Sequence, residues 1–474
     1  MRLHISVLLL LTTLSSCKNV QKDKDDYAYF GGEIINPSND YVLLYDTKEV
    51  VDTLYLDHNN RFMEKINDVV PGLYTFVHGG EYQWILLEPK DSILLRLNTI
   101  DFDESLVFTG KGARENNYLV KTFLENEAEN RKFRLLCQME PEKFEQVLDS
   151  SRDKKLNELH EFLNQNDYSD LFQSIAKNSI NYNYYANKEM YPFGYYGYGN
   201  LIHHNDLPDG FYDFRKDVDY NIQTLSDFYT YNQFLYSHFN NLALQKFYET
   251  ATHHDTFDSK SVVYNLEKLT LIDTLVSNET IKNNLLKLTT RNFISMCEDS
   301  LEVQQVLRSF LQKTSNEKDK AMMNSYAFSV KGLKRGKPVP KLALINYEDQ
   351  TVALDSIIKK PTVIYFWSSM LPAQMRNSHL KVSQLRNKFP NIDFIGININ
   401  DDDNTHWKNI LDEHKFPVTN EFQFKNPNEA QEALAINSVN KSILVSKDSK
   451  IINANALLFT SEFEDQLKEL MRFK

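Results

Sequence analysis

The segment TVIYFWSSMLPAQMRNSH, residues 362–379, constrains the fold of this chain more than any other stretch. It opens with the β-branched and aromatic run TVIYFW, which is typical of a strand buried on both faces of a sheet. Apolar side chains then recur on one face of a predicted helix that ends before Pro390: Met375, Val382, Leu385 and Phe389. A buried strand that leads into a helix predicts an α/β domain here.

The chain after this helix continues the α/β pattern. IDFIGINI, residues 392–399, predicts a second buried strand, and residues 406–416 predict a second helix. SILVSKDSKIINA predicts a hairpin that turns at Lys447-Asp448-Ser449, and residues 461–473 predict a terminal amphipathic helix. Strand, helix, strand, helix, hairpin and helix is the thioredoxin-like order.

Residues 330–474 resemble the TlpA-like, membrane-anchored thiol-disulfide oxidoreductases of the bacterial envelope. The matches are the Gly/Pro lead at residues 336–340, Phe366 and Trp367 at the end of the strand, the later Trp407, the Phe416-Pro417 pair and the Asp448-Ser449-Lys450 turn. The resemblance implies a thioredoxin-like domain and a role in disulfide exchange or cytochrome maturation.

The chain departs from this family at the residues that carry its chemistry. Leu371 occupies the first cysteine position of the family's CxxC motif, Gln374 occupies the second, and Met370 takes the place of an aromatic residue. Thiol-disulfide exchange needs a thiolate at a helix N-terminus and a second sulfur that resolves the mixed disulfide. Cys137 and Cys297 stand in apolar contexts, where a cysteine is usually a small buried hydrophobe.

A second departure concerns the cis proline beside which the family pairs its substrate chain. Asn440 stands at that place, and a cis bond before a non-proline residue costs about 2.5–4 kcal/mol, so a trans bond is expected. We therefore predict a degenerate site, which we call the vestigial redox site and which comprises Trp367, Leu371, Pro372, Gln374 and Asn440. This makes the domain a candidate pseudoenzyme.

Other chemistry at this end lacks its required parts. Ser368 and Ser369 have no nucleophile elbow or oriented acid, and His379 is expected to face solvent. Residues 400–404, NDDDN, lack the glycine and terminal glutamate of a calcium loop and are expected to cap the next helix through Asp403 or Asn404. We predict no catalytic, metal-binding or cofactor-binding residues.

The first 17 residues predict export and lipidation. Arg2 precedes an apolar run and small residues, which is the layout of a signal peptide over residues 1–16, and the run is too short to span a membrane. The LSSC end resembles the lipobox of bacterial lipoproteins, which implies that Cys17 carries the lipid. An ordinary cleaved signal with a cysteine nearby is the alternative.

Residues 17–27 predict a charged tether between the membrane and the first domain. The acidic run after Cys17 also resembles the export signals that some Gram-negative bacteria place there to send lipoproteins to the cell surface. We therefore expect an envelope lipoprotein, anchored in the outer membrane and either periplasmic or exposed at the surface.

Two further regions precede the thioredoxin-like domain. Short alternating apolar runs split by turn residues over 28–112 predict an antiparallel β sandwich or barrel, which resembles the β module found ahead of thioredoxin-like domains in envelope lipoproteins. Residues 113–326 have helical spacing. Within them a tyrosine-rich loop, residues 181–200, is a candidate for stacking on glycan or peptide through Tyr195, Tyr196 and Tyr198, or its rings pack on neighbouring helices.

The whole chain is therefore expected to be multidomain, with an N-terminal antiparallel β domain, an α-helical middle and a C-terminal α/β domain. Its net charge of −12 and lack of a basic stripe argue against nucleic acid as a partner. Two compact histidine clusters, His203-His204 and His253-His254-Asp255, have no partner at metal-ligand spacing.

Three functions fit these observations. The leading hypothesis is a redox-inactive thioredoxin-like domain that serves binding or assembly with an unidentified envelope protein. The alternatives are a retained role in disulfide exchange or cytochrome maturation, and capture of a glycan or peptide by the tyrosine-rich loop.

Overall fold

The structure is a computed structural model, which describes residues 26–46, 49–195, 202–250, 257–400 and 405–472. Over these ranges it contains β sheets at the N-terminal side, a helical middle and a C-terminal α/β region. No helix within the described ranges is both long and apolar enough to cross a membrane.

The N-terminal region consists of two four-stranded sheets packed over one core. Its strands are β1 (Tyr27–Ile35), β2 (Tyr41–Asp46), β3 (Glu49–Tyr55), β4 (Arg61–Asn67), β5 (Gly72–His78), β6 (Glu81–Leu87), β7 (Ser92–Asn98) and β8 (Val107–Lys111), with the short helix α1 (Phe102–Ser105) before β8. The strand orders are β4-β1-β7-β8 and β3-β2-β5-β6. Phe30 contacts Phe62 and Phe76 in the core, with ring centroids 5.3 and 5.9 Å apart.

One strand pair corrects the expectation of a purely antiparallel domain. Strands β1 and β7 pair in parallel, whereas the other pairs of these two sheets are antiparallel. The two strands are far apart in sequence, so β1 can lie between β4 and β7 without a tight hairpin. Local alternation predicts strands but does not fix such a distant partner.

In the part of the middle region that the structure describes, there are eight α-helices: α2 (Ala113–Leu136), α3 (Pro141–Leu163), α4 (Asp170–Gly194), α5 (Tyr229–Thr250), α6 (Val262–Leu275), α7 (Glu279–Met296), α8 (Ser300–Lys313) and α9 (Glu317–Gly332). The predicted tyrosine-rich loop is wrong over residues 181–194, because these residues continue α4. Tyr182 and Tyr191 of this helix are buried against aromatic rings of its neighbours, including Tyr231 and Phe144.

The C-terminal region has a thioredoxin-like fold around a seven-stranded sheet in the order β10-β9-β13-β12-β11-β14-β15. Its elements are β9 (Ala343–Asn346), β10 (Thr351–Ala353), α10 (Leu354–Ile357), β11 (Thr362–Trp367), α11 (Pro372–Lys388), β12 (Asp393–Asn398), α12 (His406–Glu413), β13 (Glu421–Phe424), α13 (Pro427–Ala433), β14 (Lys441–Val445), β15 (Ile451–Leu457) and α14 (Phe463–Arg472). Strands β11, β12 and β13 are parallel, and the β14–β15 hairpin joins them antiparallel at β11.

Every residue of β11 is buried, as its continuous apolar sequence predicts. The sequence reading overlooked β13 and α13, which lie between α12 and the hairpin. Strand β13 has the sequence EFQF. Because Glu421 and Gln423 are polar, the sequence did not indicate that all four side chains are buried. Their burial depends on partners that are distant in sequence.

Candidate functional site

The turn after β11 is fixed by the end of the neighbouring strand. Three donors converge on the Oδ1 atom of Asn400, each at 2.9 Å: the hydroxyls of Ser368 and Ser369 and the backbone N–H of Ser369. The Ser368 hydroxyl also accepts a hydrogen bond from the backbone N–H of Met370 at 3.1 Å. The two serines therefore shape the turn.

Leu371 occupies the N-cap position of α11 and offers no side-chain acceptor to the helix start. Pro372 follows as the first helical residue, where the missing N–H has no cost. Leu371 is half-buried, and its backbone N–H donates to the Ser368 carbonyl at 3.1 Å. An apolar side chain thus stands at the helix N-terminus where a redox thiolate would need to be.

The side chain of Gln374 bridges three pieces of the domain. Its Nε2 lies 3.1 Å from the carbonyl oxygen of Phe366 in β11 and 2.9 Å from the hydroxyl of Ser378 in α11. The same atom lies 3.4 Å from the carbonyl oxygen of Val439, in the loop before β14. Gln374 therefore works as a structural cross-link between β11, α11 and this loop.

Asn440, at the end of this loop, donates its backbone N–H to the hydroxyl of Ser438 at 3.2 Å. All peptide bonds of the described residues are trans, the bond before Asn440 included. The structure thus brings the three regions of the vestigial redox site together: the end of β11 at Trp367, the start of α11 and the loop before β14.

A buried carboxylate, Glu421, lies behind this site and was missed at the sequence level. It accepts hydrogen bonds from the Tyr365 hydroxyl at 2.5 Å and from Trp367 Nε1 at 3.0 Å. Burial, together with the charge of Glu421, raises the pKa of Tyr365 well above its ordinary value, so the hydroxyl stays a donor. Two basic side chains also approach the Glu421 carboxylate. His379 Nε2 lies 3.5 Å from one of its oxygens, and Arg386 Nη2 lies 3.9 Å from the other.

The expectation that His379 faces solvent is wrong. The side chain is 5% exposed, its Nδ1 lies 2.8 Å from the Met375 carbonyl oxygen, and its ring stacks on Phe416. The helical spacing could have shown this, because positions 375, 379 and 382 share one face and two of them are apolar. The histidine packs with Glu421 and does not face the serines.

The two described cysteines do not resemble activated thiols. Cys137 is fully buried, and desolvation raises its pKa to about 12. Cys297 is half-buried near the carboxylate of Glu302, and desolvation, followed by that neighbour, raises its pKa as well. An exchange nucleophile needs a lowered pKa, so both sites oppose thiolate formation.

Other predicted site residues have different outcomes. Tyr195 is buried beside Tyr191 and its hydroxyl lies 3.3 Å from a carboxylate oxygen of Glu140. Tyr196, Tyr198 and Cys17 lie outside the described residues, as do Asp403 and Asn404; Thr405 is the N-cap residue of α12. Within the described ranges no group of three or more His, Cys, Asp or Glu side chains is placed to hold a metal ion.

The N-terminal β domain reaches this end of the thioredoxin-like domain through the turn between β5 and β6. A Cβ atom built on Gly80 would lie 3.0 Å from Cδ2 of Leu371 and 3.3 Å from the carbonyl oxygen of Met370. A Cβ on Gly79 would also lie 3.3 Å from that oxygen. The two glycines therefore bring the backbone of the turn close to Met370 and, at Gly80, to Leu371 of the vestigial redox site.

Comparison with known proteins gives similarity to solved structures over part of the chain. No protein-family model matches the chain, and no curated protein matches it by sequence. Among solved structures it is similar to the thioredoxin domain of a thiol-disulfide oxidoreductase from Bacteroides vulgatus, with 18% identity, a TM-score of 0.25, and coverage of 29% of this chain and 99% of that chain.

Two further solved structures give the same result. A thiol:disulfide interchange protein from Bacteroides sp. has 21% identity and a TM-score of 0.24, over 26% of this chain and 81% of that chain. A thiol-disulfide oxidoreductase from Bacteroides fragilis has 21% identity and a TM-score of 0.24, over 28% of this chain and 99% of that chain. The thioredoxin-like assignment itself depends on the strand order and on the helix after β11.

Proposed function

We propose that this protein is an envelope lipoprotein whose thioredoxin-like domain does not exchange disulfides and instead serves binding or assembly. The observation that carries the proposal is the state of the two former cysteine positions. Leu371 is packed against a turn of another domain, and Gln374 donates to Phe366 and Ser378. Both side chains have structural partners, and neither supplies a nucleophile.

The remaining cysteines support the same proposal. Cys137 lies in an aromatic cluster of the helical region with Phe144 and Tyr191. Cys297 follows α7, and its nearest polar partners are on α8 and in the segment before it. Neither belongs to α11 or to the loops at its N-terminus, so neither can replace the lost sulfurs at this end without a large rearrangement.

The fold itself favours the second candidate, a retained role in disulfide exchange, because the similar solved structures are named for that activity. Activity resides in the site placed on a fold, however, and the fold persists here without the two sulfurs. The second candidate therefore requires a partner that supplies both thiols.

Insulin reduction by dithiothreitol separates the two candidates. A purified protein of residues 18–474, which include all described residues, is expected to leave the rate of insulin precipitation unchanged. The double variant Leu371→Cys/Gln374→Cys is the matched control, because it returns both sulfurs to the same scaffold. Acceleration by the unaltered sequence, or a covalent adduct with a client thiol trapped on it, would reject the redox-silent proposal.

Membrane attachment is a separate part of the proposal. Cells that express the full chain with radiolabelled palmitate are expected to incorporate label into it and to retain it in the membrane fraction. The variant Cys17→Ser removes the acyl-acceptor sulfur and is expected to lose both properties. Equal labelling of the two chains would contradict lipidation at Cys17.

A further inference from the structure

The helical region holds the two outer domains in fixed positions. Asn116 of α2 bonds both backbone groups of Leu86 in the β domain, at 2.7 and 2.9 Å. On the other side, Lys334 after α9 donates to Ser300 of α8 at 2.9 Å, and Asn455 of β15 donates to the carbonyl oxygen of Ser295 at 2.7 Å. Both outer domains are therefore attached to the same set of helices.

The contact between the β5–β6 turn and the thioredoxin-like domain closes these three domains into a ring. Here Gly79 and Gly80 lie against Met370 and Leu371, and no hydrogen bond between the turn and these two residues is among those described. The two junctions with the helical region, in contrast, include hydrogen bonds: Asn116 bonds the buried backbone of Leu86, Lys334 bonds Ser300, and the exposed Asn455 bonds Ser295. The described contact of the β5–β6 turn lacks such a bond.

The turn has a backbone suited to this close approach. Gly79 and Gly80 have φ values of +61° and +77°, which other residues rarely adopt. His78 supports the turn from behind: it is buried, its Nδ1 lies 2.9 Å from the Tyr41 carbonyl oxygen, and its Nε2 accepts the N–H of Ser38 at 3.1 Å. Contacts within the β domain therefore hold the turn in place independently of its contact with Leu371.

We propose that the β5–β6 turn is a built-in occupant of the vestigial redox end, where it covers Met370 and Leu371 and keeps a peptide partner from docking beside them. A partner of the intact protein then binds elsewhere on its surface. This second proposal deepens the proposed function and rests on it only for the absence of sulfur chemistry at this site. That the turn occupies the site depends on the contact alone.

Disulfide trapping tests whether the turn occupies this place in solution. The double variant Gly80→Cys/Leu371→Cys, made in residues 18–474, is expected to form an intramolecular bond under mild oxidation, seen as a linked peptide pair in a non-reduced digest. Gly336→Cys/Leu371→Cys is the matched control, since Gly336 also has positive φ but no atom within 4 Å of a built Cβ. The control pair is expected to stay reduced.

Two results of this trapping would overturn the proposal, provided that both variants keep the circular dichroism of the parent. One is the absence of a bond in the Gly80 pair. The other is equal bond formation in both pairs, because proximity would then not be specific to the turn.

Hydrogen exchange gives a second test that needs no new thiol. Gly80→Val places a branched side chain against Leu371 and is expected to speed exchange at residues 370–375 by about threefold or more, because the contact opens locally. Gly336→Val carries comparable backbone strain without that contact and is expected to leave these amides unchanged. Unchanged exchange in Gly80→Val would overturn the proposal.

The tests of the two proposals remain separable. Insulin turnover by the unaltered residues 18–474 rejects redox silence, and it keeps the occupancy if the separate Gly80→Cys/Leu371→Cys variant forms its disulfide. A silent unaltered protein whose Gly80→Cys/Leu371→Cys variant fails to form the disulfide rejects the occupancy and keeps redox silence.

Discussion

At the scale of single residues, Leu371 and Gln374 of the predicted vestigial redox site differ in their surroundings. Leu371 contacts a turn of the β domain, whereas Gln374 donates hydrogen bonds inside its own domain. The two positions therefore have different environments. One is a contact surface, and the other is a polar cross-link.

Gln374→Leu is expected to destabilise the thioredoxin-like domain by about 1–2 kcal/mol, because it removes the hydrogen bonds to Phe366 and Ser378 in a half-buried place. Urea unfolding followed by circular dichroism measures the change. Leu380→Ala, at a side chain that is 57% exposed on the same helix, is the control and is expected to change stability by less than about 0.5 kcal/mol. Equal stability of Gln374→Leu and the parent would contradict a cross-linking role.

Asp103 of α1 gives a prediction with a defined pH sign. Burial, opposed by the hydrogen bond from Gln83 and reinforced by nearby carboxylates, raises the pKa of Asp103 to about 6. The folded form then binds a proton more tightly than the unfolded form, so the contribution of Asp103 to stability is present below about pH 4 and is lost as the pH rises through 6.

Asp103→Asn is accordingly expected to gain stability relative to the parent between pH 4 and pH 7, by about 1 kcal/mol once solvent screening is allowed for. Asp57→Asn should show the opposite sign, because backbone N–H groups of Arg61 and Asn59 lower the pKa of Asp57. Its loss of stability relative to the parent is expected to be fully present above about pH 4 and to shrink as the pH falls further. Thermal unfolding of both variants from about pH 2 to pH 7 checks the two signs. A gap between Asp103→Asn and the parent that does not vary with pH would refute the raised pKa.

At the scale of elements, two successive residues at the start of α2 attach that helix to both sheets of the β domain. Asn116 bonds the N–H and carbonyl of Leu86 at the edge of β6, and Asn117 bonds the N–H and carbonyl of Phe108 in β8, both at 2.8 Å. Each amide thus copies the pairing that a neighbouring strand would provide. The two asparagines of α2 thus bond backbone groups at one edge of each sheet.

Asn116→Ala is expected to lower the free energy of unfolding by about 2 kcal/mol, since it leaves two buried backbone groups of Leu86 without partners. Asn116→Asp keeps the acceptor and loses the donor, so it serves as a graded control. Denaturant unfolding is the measurement. The prediction fails if alanine and aspartate variants are both as stable as the parent.

Elements also show what the sequence could predict. Strand β11 and the β14–β15 hairpin follow from continuous apolar runs and from turn residues, which are local signals. Strand β13 and the parallel pairing of β1 with β7 were not predictable in this way, because Glu421 and strand β1 obtain their partners from distant parts of the chain. The helical course of residues 181–194 was obscured by Pro192, which lies within α4.

At the scale of the whole molecule, the helical region joins the β domain to the thioredoxin-like domain. It carries the β domain through Asn116 and Trp84, whose ring packs on Phe123 and Phe228 with centroids 5.6 and 5.5 Å apart. The place of Leu371 at the start of the helix after β11 was predictable from the sequence. Its contact with Gly80 was not, because it depends on how three domains are assembled.

The paired asparagines also affect how this protein can associate with copies of itself. A sheet edge with unpaired backbone groups is a template for a strand from another molecule. Since the amides of Asn116 and Asn117 already bond to β6 and β8, an incoming strand would have to displace them. Among the described hydrogen bonds, the edge strands β3 and β4 have side-chain bonds to their backbone only from their own residues and the loop between them: Asp52 to the N–H of Thr53, Asn67 to the carbonyl of Lys65 and Asp57 to the N–H of Arg61. Intermolecular strand addition to the β domain, on heating or concentration, should begin at β3 or β4.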